Sequence, residues 1–158
     1  MTAAQRQYRV HVQRRDRTLG VTVAQIRAAA RAAAEYARCP QSALSVVVVG
    51  DAVMRELNRA YAGVLGTTDV LAFDLSEGPG TGEDAVGGEV IVNAAAATAE
   101  AAKRGREPRE ELILYVVHGA LHLGGYRDHT AGEKRAMRAA EAAVVRALAA
   151  RGGKGARR

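Results

Sequence analysis

The apolar and polar positions of this chain follow two periods. Strand-like segments, β-branched or alternating with a period of two, lie at residues 8–12, 44–49, 70–75 and 89–92. Segments with apolar residues at helical spacing predict helices at about residues 21–38, 52–61, 94–104, 108–123 and 131–150. Residues 77–88 are rich in glycine, proline and acids, so they predict a loop, and the strands on either side are expected to pair antiparallel.

Residues at the predicted helix ends support these boundaries. Thr22, Asp51 and Asn93 each stand just before a helical segment, where a side-chain oxygen can cap the free backbone N–H groups. Pro108 suits the first helical position, and Gly124-Gly125 suits a helix end. Gly119, in contrast, stands in the middle of a predicted helix, which indicates either that a neighbouring element packs closely there or that a site beside it needs the room.

The order of the predicted elements indicates the fold class. The succession β-α-β-α-β-β-α-α-α predicts an α/β (α+β) sandwich, with a four-stranded mixed sheet and about five helices in a single domain at residues 1–150. The 158 residues are 48% hydrophobic, with one Phe and no Trp, so the core is expected to be aliphatic. Residues 151–158 are rich in Gly and Arg and predict a disordered basic tail.

Charge and cysteine content narrow the class of protein. The net charge is +6, and it lies at the two ends: residues 1–17 and 151–158 carry +4 each, whereas the residues between them sum to −2. Basic ends suit a polyanion such as RNA, but they equally suit solubilising tails. A single cysteine, Cys39, cannot form an internal disulfide. No secretory signal or membrane-length apolar run is visible, so we expect a cytoplasmic protein with no membrane partner.

The strongest chemical signal is a cluster of histidines. His118 and His122 are four residues apart on a predicted helix, so they share one face with β-carbons about 5–6 Å apart. The diglycine that follows lets the chain turn back and bring Asp128 or His129 toward the same point. Three protein ligands with a fourth position open are typical of a catalytic zinc site.

Several segments together resemble the YbeY family. They are HGALHLGGYRDH at 118–129, LNRAY at 57–61 with TDVLAF at 68–73, and GEVIV at 88–92. The resemblance spans about residues 40–145. It implies one zinc ion per chain, held by three histidines: His118, His122 and, here, His129. It also implies single-strand-specific endoribonuclease activity in ribosomal RNA maturation, at the small-subunit 3′ end, and in ribosome quality control. The expected partners are therefore RNA and the ribosome.

The third metal ligand stays open, because this sequence departs from the family spacing. The family has five residues between its second and third histidines, whereas six separate His122 from His129 here. Asp128 stands at the family's spacing, with Arg127 before it. Zinc accepts carboxylate or imidazole, so either Asp128 or His129 could bind, with His129 slightly favoured. If His129 binds the metal, Asp128 is a candidate catalytic base.

A second departure concerns catalysis. Ala62 stands where the family carries an arginine, and Val64 and Thr67 replace its lysine and proline. Arg59, one helical turn earlier, is therefore the candidate catalytic arginine. The loss of the family arginine favours an alternative, a non-catalytic zinc-containing RNA-binding or ribosome-assembly factor. Metal-dependent hydrolysis of a peptide is disfavoured, because Gly119 occupies the position of the glutamate in metalloprotease helices.

Three acidic residues complete the site expectations. Asp69, or else a backbone carbonyl, could hold the second nitrogen of a metal-binding imidazole. Glu133 and Glu141 lie on the last predicted helix, whose apolar stripe is expected to pack on the histidine helix. Both glutamates are expected on or near the solvent face of that helix.

Overall fold

A four-stranded sheet with helices on both faces forms the fold. The computed structural model of the chain describes residues 6–76 and 85–155, with side chains to residue 152. Within those ranges the strands are β1 (Arg9–Arg14), β2 (Ala43–Val49), β3 (Val70–Asp74) and β4 (Gly88–Asn93). The helices there are α1 (Val23–Ala37), α2 (Asp51–Ala62), α3 (Ala94–Arg104), α4 (Pro108–Leu123) and α5 (Ala131–Gly155). This confirms the predicted single-domain α/β sandwich.

The sheet is mixed, with strand order β1-β2-β4-β3. β1, β2 and β4 are parallel, and β3 pairs antiparallel with β4 at the edge, as predicted. Parallel neighbours need long crossovers, which α1 supplies between β1 and β2, and α2 with β3 between β2 and β4. The β-branched run of β2 occupies a central position, where both faces of a strand are covered.

The two faces of the sheet carry cores of different size. Alternate residues of β2 and β4, such as Val46 and Val90, join the large core formed with α1, α3, α4 and α5. Ile91 and Val49 point to the other face, where Met54 of α2 covers them. Helix α4 therefore lies on one face of the sheet and α2 on the opposite face.

Capping at the helix ends largely follows the sequence. Thr22 forms a capping box with Gln25 at the start of α1, and the Asn93 side chain accepts from the first N–H groups of α3. The cap predicted at Asp51 is wrong, because Gly50 is the N-cap of α2 and Asp51 is its first helical residue. The Asp51 carboxylate instead accepts a 3.0 Å hydrogen bond from Asn93 Nδ2. That bond is the main reason why the pKa of Asp51 is lowered.

Gly119 permits the close approach of α4 to the sheet. A β-carbon at this position would clash with Val90 of β4 and lie 3.1 Å from Val70 of β3. The predicted close packing at this glycine is therefore confirmed. It sets the depth at which α4 lies on the sheet, and so the position of His118 next to it.

The last helix is longer than the sequence predicts. Helix α5 continues to Gly155, so residues 151–155 of the predicted disordered tail are helical, whereas residues 156–158 lie outside the described part. Most of the predicted loop, residues 77–84, also lies outside it. None of the helices in the described ranges is long and apolar enough to cross a bilayer.

Candidate metal centre

Helix α4 places two imidazoles against each other at its C-terminal end. The Nε2 atoms of His118 and His122 are 2.9 Å apart, and the two rings meet edge to face at 83°. Because the residues are four apart in one helix, their side chains project from the same face, as the sequence predicts. The side chains are 26% and 28% exposed, so solvent reaches the pair.

The chain reverses directly after α4 and brings a carboxylate to the pair. Gly125 has a φ of 101°, a conformation that a side chain would strain, and it follows the helix C-cap Gly124. After this turn, Asp128 Oδ2 lies 3.4 Å from His118 Nε2 and 3.5 Å from His122 Nε2. His118, His122 and Asp128 thus form a group that could hold a metal ion, with ligand atoms all within 4.8 Å of one another.

Hydrogen bonds on the far side of each ring set the orientation of both imidazoles. His118 Nδ1 donates to Glu141 Oε1 at 2.6 Å, and His122 Nδ1 donates to the Tyr126 backbone oxygen at 2.9 Å. Carboxylate and carbonyl oxygens only accept, so each neutral ring carries its proton on Nδ1. Both Nε2 lone pairs then face each other and the Asp128 carboxylate, an arrangement that a cation stabilises.

The charge around His118 favours a proton on its ring in the absence of a cation. Burial lowers the pKa of His118, but the hydrogen bond and charge of Glu141, together with Asp128 and Asp69, outweigh it and raise the pKa overall. The same carboxylates that attract a proton also attract a metal ion. The site is therefore a pair of imidazoles surrounded by carboxylates, an environment that favours a cation.

The donor atoms suit a tetrahedral zinc ion. Zinc–nitrogen and zinc–carboxylate bonds of about 2.0–2.1 Å place neighbouring ligand atoms about 3.3 Å apart in a tetrahedron. The separations here are 2.9, 3.4 and 3.5 Å. Two imidazoles and one carboxylate are also a ligand set that catalytic zinc uses, with a fourth position left open.

The remaining predicted site residues lie elsewhere. His129 is exposed and does not belong to the group formed by His118, His122 and Asp128. Arg59 is exposed in the last turn of α2, and it does not line the cavity beside His118. Asp69 accepts from the Val70 backbone N–H at 2.8 Å and does not hold an imidazole. The backbone alternative is the one that occurs, at Tyr126.

Glu141 lies at the candidate metal centre and not near solvent, where the sequence predicts it. It was expected near solvent, yet its side chain is only 16% exposed and bonds to His118. The signal was present in the spacing, because Glu141 follows Met137 by four residues and precedes Val144 by three, and both are buried. Glu133 instead closes a capping box with Thr130 at the start of α5.

A cavity of about 690 Å³ opens beside His118 and Glu141. Its walls come from the start of α2, from α3, α4 and α5, and from the segment before β3. The lining includes Asp51, Thr67, Asp69, Ala95, Ala96, Ala99, Glu100, Lys103, Arg104, Glu111, Leu114, Tyr115 and Arg138. A substrate larger than one small group therefore has room next to the metal-binding side chains.

Comparison with known proteins identifies relatives across nearly the whole chain. A family model described as endoribonuclease YbeY matches residues 6–149. The endoribonuclease YbeY of Moorella thermoacetica is 37% identical over 72% of this chain and 78% of its own length. That of Syntrophotalea carbinolica is 30% identical over 84% and 89% of the two chains. That of Anaeromyxobacter is 39% identical over 66% of this chain, an alignment that spans 53% of the relative.

A solved structure supports the fold independently. The solution structure of a Thermotoga maritima protein is similar with a TM-score of 0.57, covering 86% of each chain, at 22% sequence identity. The family match extends from β1 into α5 and includes the histidines and the aspartate of the metal centre. On these grounds the chain belongs to the endoribonuclease YbeY family.

Proposed function

We propose that this protein is a metal-dependent endoribonuclease that cleaves single-stranded RNA in the cytoplasm. One zinc ion per chain is held by His118, His122 and Asp128. The observation that supports this most directly is the orientation of the two imidazoles, whose Nδ1 atoms donate to Glu141 and Tyr126 while both Nε2 atoms face Asp128. Three donors converge on one point that solvent can reach.

The side chains around the metal have distinct tasks. A bound zinc ion supplies a Lewis acid that polarises a phosphoryl oxygen and lowers the pKa of water from about 15.7 toward 7. Glu141 keeps the proton of His118 on Nδ1, which leaves the lone pair of Nε2 free to bind the metal. Arg127, next to Asp128 in the chain and exposed, is our candidate for contacting a phosphate of the RNA.

The roles of Asp128 and Arg59 depend on the third ligand. With Asp128 as ligand, its carboxylate is not available as the catalytic base, and the base role predicted for it applies only if His129 takes its place. Arg59 stays a predicted phosphate-binding residue, on an exposed part of α2. An Arg59→Ala variant that cleaves RNA at the wild-type rate would remove Arg59 from the mechanism.

The test combines metal analysis with RNA cleavage. Purified wild type and His122→Ala should be compared by elemental analysis and then incubated with a labelled single-stranded RNA and the matching duplex. We expect about one zinc per chain in the wild type, much less in the variant, and zinc-dependent cleavage of the single strand only. Absence of bound metal from the wild type at neutral pH would overturn the proposal.

A second candidate function is a zinc-containing RNA-binding or ribosome-assembly factor without cleavage. Ala62, which stands where the family carries an arginine, supports it, since this exposed end of α2 offers no cation at that position. Zinc binding with salt-sensitive RNA affinity but no cleavage would favour this candidate. Restoring cleavage with Ala62→Arg would then identify the missing side chain.

The biological substrate that we propose is ribosomal RNA, at the 3′ end of the small-subunit precursor, with a further task in ribosome quality control. Relatives carry the name endoribonuclease, which supports an RNA substrate for this chain. Incubation with precursor fragments and mapping of the cleaved ends tests the site. Cuts scattered over all single-stranded regions would argue against a dedicated 3′-end substrate.

A further inference from the structure

A buried carboxylate in the cavity beside His118 lacks a hydrogen bond. Glu111 is 1% exposed, and its Oε1 has no hydrogen-bond partner, unlike the other buried side-chain polar atoms of the described residues. Arg106 Nη1 lies 3.5 Å from this oxygen, close enough to offset its charge but too far for a good N–H···O bond. Burying an acceptor without a donor is costly, so the site is set up for a donor from outside the protein.

Glu111 lies on the same side of α4 as the metal centre. Tyr115 follows it by four residues and His118 by seven, so all three recur on one helical face, and all three line the cavity. At a rise of 1.5 Å per residue, Glu111 lies about 10 Å along the helix from His118. That span suits a nucleotide next to the phosphate that faces the metal centre.

The polarity of the cavity changes with depth. Lys103 and Arg138 are exposed, so they lie at the mouth, whereas Glu111 is buried inside. Most other acids of the lining already have partners, since Asp51 accepts from Asn93, Glu100 pairs with Arg104 and Glu141 accepts from His118. The mouth therefore suits a phosphate, and the interior suits a group that donates hydrogen bonds.

Apolar side chains form part of the wall between these two ends. Leu114, Tyr115 and the alanines of α3 offer contact surface for a base, beside the charged side chains of Asp69, Glu100 and Arg104. The volume of about 690 Å³ lies within the usual range of about 300–1,000 Å³ for small-ligand sites, and it accommodates one nucleotide. A planar base can contact these apolar side chains while its edge donates hydrogen bonds to the Glu111 carboxylate.

We propose that the cavity is a nucleotide subsite in which Glu111 selects the base, with guanine preferred and uracil disfavoured; the inference rests on the proposed RNA substrate. An ionised carboxylate only accepts hydrogen bonds. Guanine offers two adjacent donors, N1–H and the N2 amino group, which match the two carboxylate oxygens. Uracil offers one N–H between two carbonyl acceptors, which a carboxylate repels. Adenine and cytosine each offer one amino donor and rank between them.

Binding of mononucleotides tests the subsite without relying on cleavage. The zinc-loaded full chain should be titrated calorimetrically with the 5′-monophosphates of guanosine, adenosine, cytidine and uridine. We expect the guanosine nucleotide to bind at least about tenfold more tightly than the uridine nucleotide, the factor typical of one good bidentate base contact. The same ranking should persist after zinc removal, because Glu111 is not a metal ligand.

Variants assign the preference to Glu111. Glu111→Gln, which keeps the side-chain size but loses one acceptor, should reduce the guanosine advantage to less than about threefold. Glu110→Gln changes the exposed neighbour on the same helix turn and should leave the ranking unchanged. If Glu111→Gln does not fold, Ala99→Leu provides the second test, because it fills the cavity from an exposed wall position and should weaken all four nucleotides.

The outcomes separate this inference from the proposed function. Equal affinities for the four nucleotides, no binding of any, or an unchanged ranking in Glu111→Gln would overturn the subsite while leaving zinc-dependent RNA cleavage intact. A guanosine preference that Glu111→Gln removes would support the subsite even if the protein cleaved no RNA. In that case only the nuclease proposal would fail.

Discussion

At the scale of single residues, Asp128 and not His129 lies against the two imidazoles of the candidate metal centre. Asp128 Oδ2 lies within 3.5 Å of both Nε2 atoms, whereas the adjacent His129 is exposed and outside the group. If Asp128 is the third ligand, as we propose, the site keeps three ligands with a less positive net charge than three histidines would have.

This arrangement predicts opposite results for two neighbouring substitutions. Asp128→Ala should lose most of its zinc, because one of three ligands is removed. His129→Ala, the matched control, should retain about one zinc per chain. Asp128→His, which restores the residue of the family pattern, should also retain it, since zinc accepts imidazole at this position. Elemental analysis after gel filtration measures all three; zinc loss in His129→Ala but not in Asp128→Ala would assign the ligand to His129.

Glu141 is expected to influence a bound metal through its hydrogen bond to His118. Outer hydrogen-bond partners of metal-binding histidines typically contribute 10- to 100-fold in metal affinity. We expect Glu141→Gln to weaken zinc binding by about tenfold, at the lower end, because glutamine still accepts from Nδ1 but removes the charge. Glu133→Gln is the control on the same helix, since glutamine preserves the capping box at Thr130.

Competition with a coloured chelator measures these zinc affinities. If Glu141 contributed only to packing, Glu141→Gln would lower the stability of the metal-free protein without changing its affinity for zinc. Equal zinc affinities of wild type and Glu141→Gln would therefore show that the contact with His118 contributes only to packing.

At the scale of elements, α4 joins the sheet to the metal centre. It packs against α1, α3, α5, β3 and β4, and Gly119 sets the closest approach to β4. A methyl group at this position would push α4 away from Val90. The resulting shift would move His118, one residue earlier, as well as the core.

Two alanine substitutions in helices should therefore have opposite effects. Gly119→Ala gains about 1 kcal/mol in helix propensity but adds an overpacking cost of about 1–3 kcal/mol, so we expect a net loss of about 1 kcal/mol. Gly152→Ala in α5 meets nothing within 4 Å and should stabilise the protein by up to about 1 kcal/mol. Urea unfolding of both variants gives the comparison; a stabilised Gly119→Ala would show that the helix can shift freely.

The elements themselves could largely be predicted from the sequence, because their signals are local. The β-branched run of β2, the Thr22 cap and the Asn93 cap each act within a few residues, and the structure confirms them. Asp51 was mistaken for a cap because its partner, Asn93, is 42 positions away. A local pattern cannot distinguish a carboxylate that caps its own helix from one that binds a distant amide.

In the candidate metal centre, too, the local features could be predicted from the sequence and the long-range contacts could not. His118 and His122 could be predicted because one helix holds both. The choice between Asp128 and His129 depends on the path of the chain after the diglycine, which spacing alone leaves open. The contact of Glu141 with His118 depends on how α5 lies against α4. The lack of a hydrogen-bond partner for Glu111 Oε1 depends on which side chains bury it, and these are distant in the sequence.

At the scale of the whole molecule, zinc should stabilise the entire fold rather than one loop. Its ligands join α4 to the segment before α5, and Glu141 links His118 to α5 itself. A ligand that binds only the folded state stabilises it by about 4.1 kcal/mol at a free concentration of 1,000 times Kd. For a chain of this length that corresponds to an increase in Tm of roughly 10 °C.

Thermal unfolding followed by far-UV circular dichroism measures this increase, with excess zinc and with a chelator. We expect one cooperative transition in both conditions, shifted upward by zinc in the wild type and in His129→Ala, but not in His122→Ala. A local stabilisation would instead give a second, zinc-dependent transition of small amplitude. Zinc binding to the wild type without any shift would mean that the unfolded chain binds zinc equally well, and that the folded arrangement of His118, His122 and Asp128 contributes nothing to affinity.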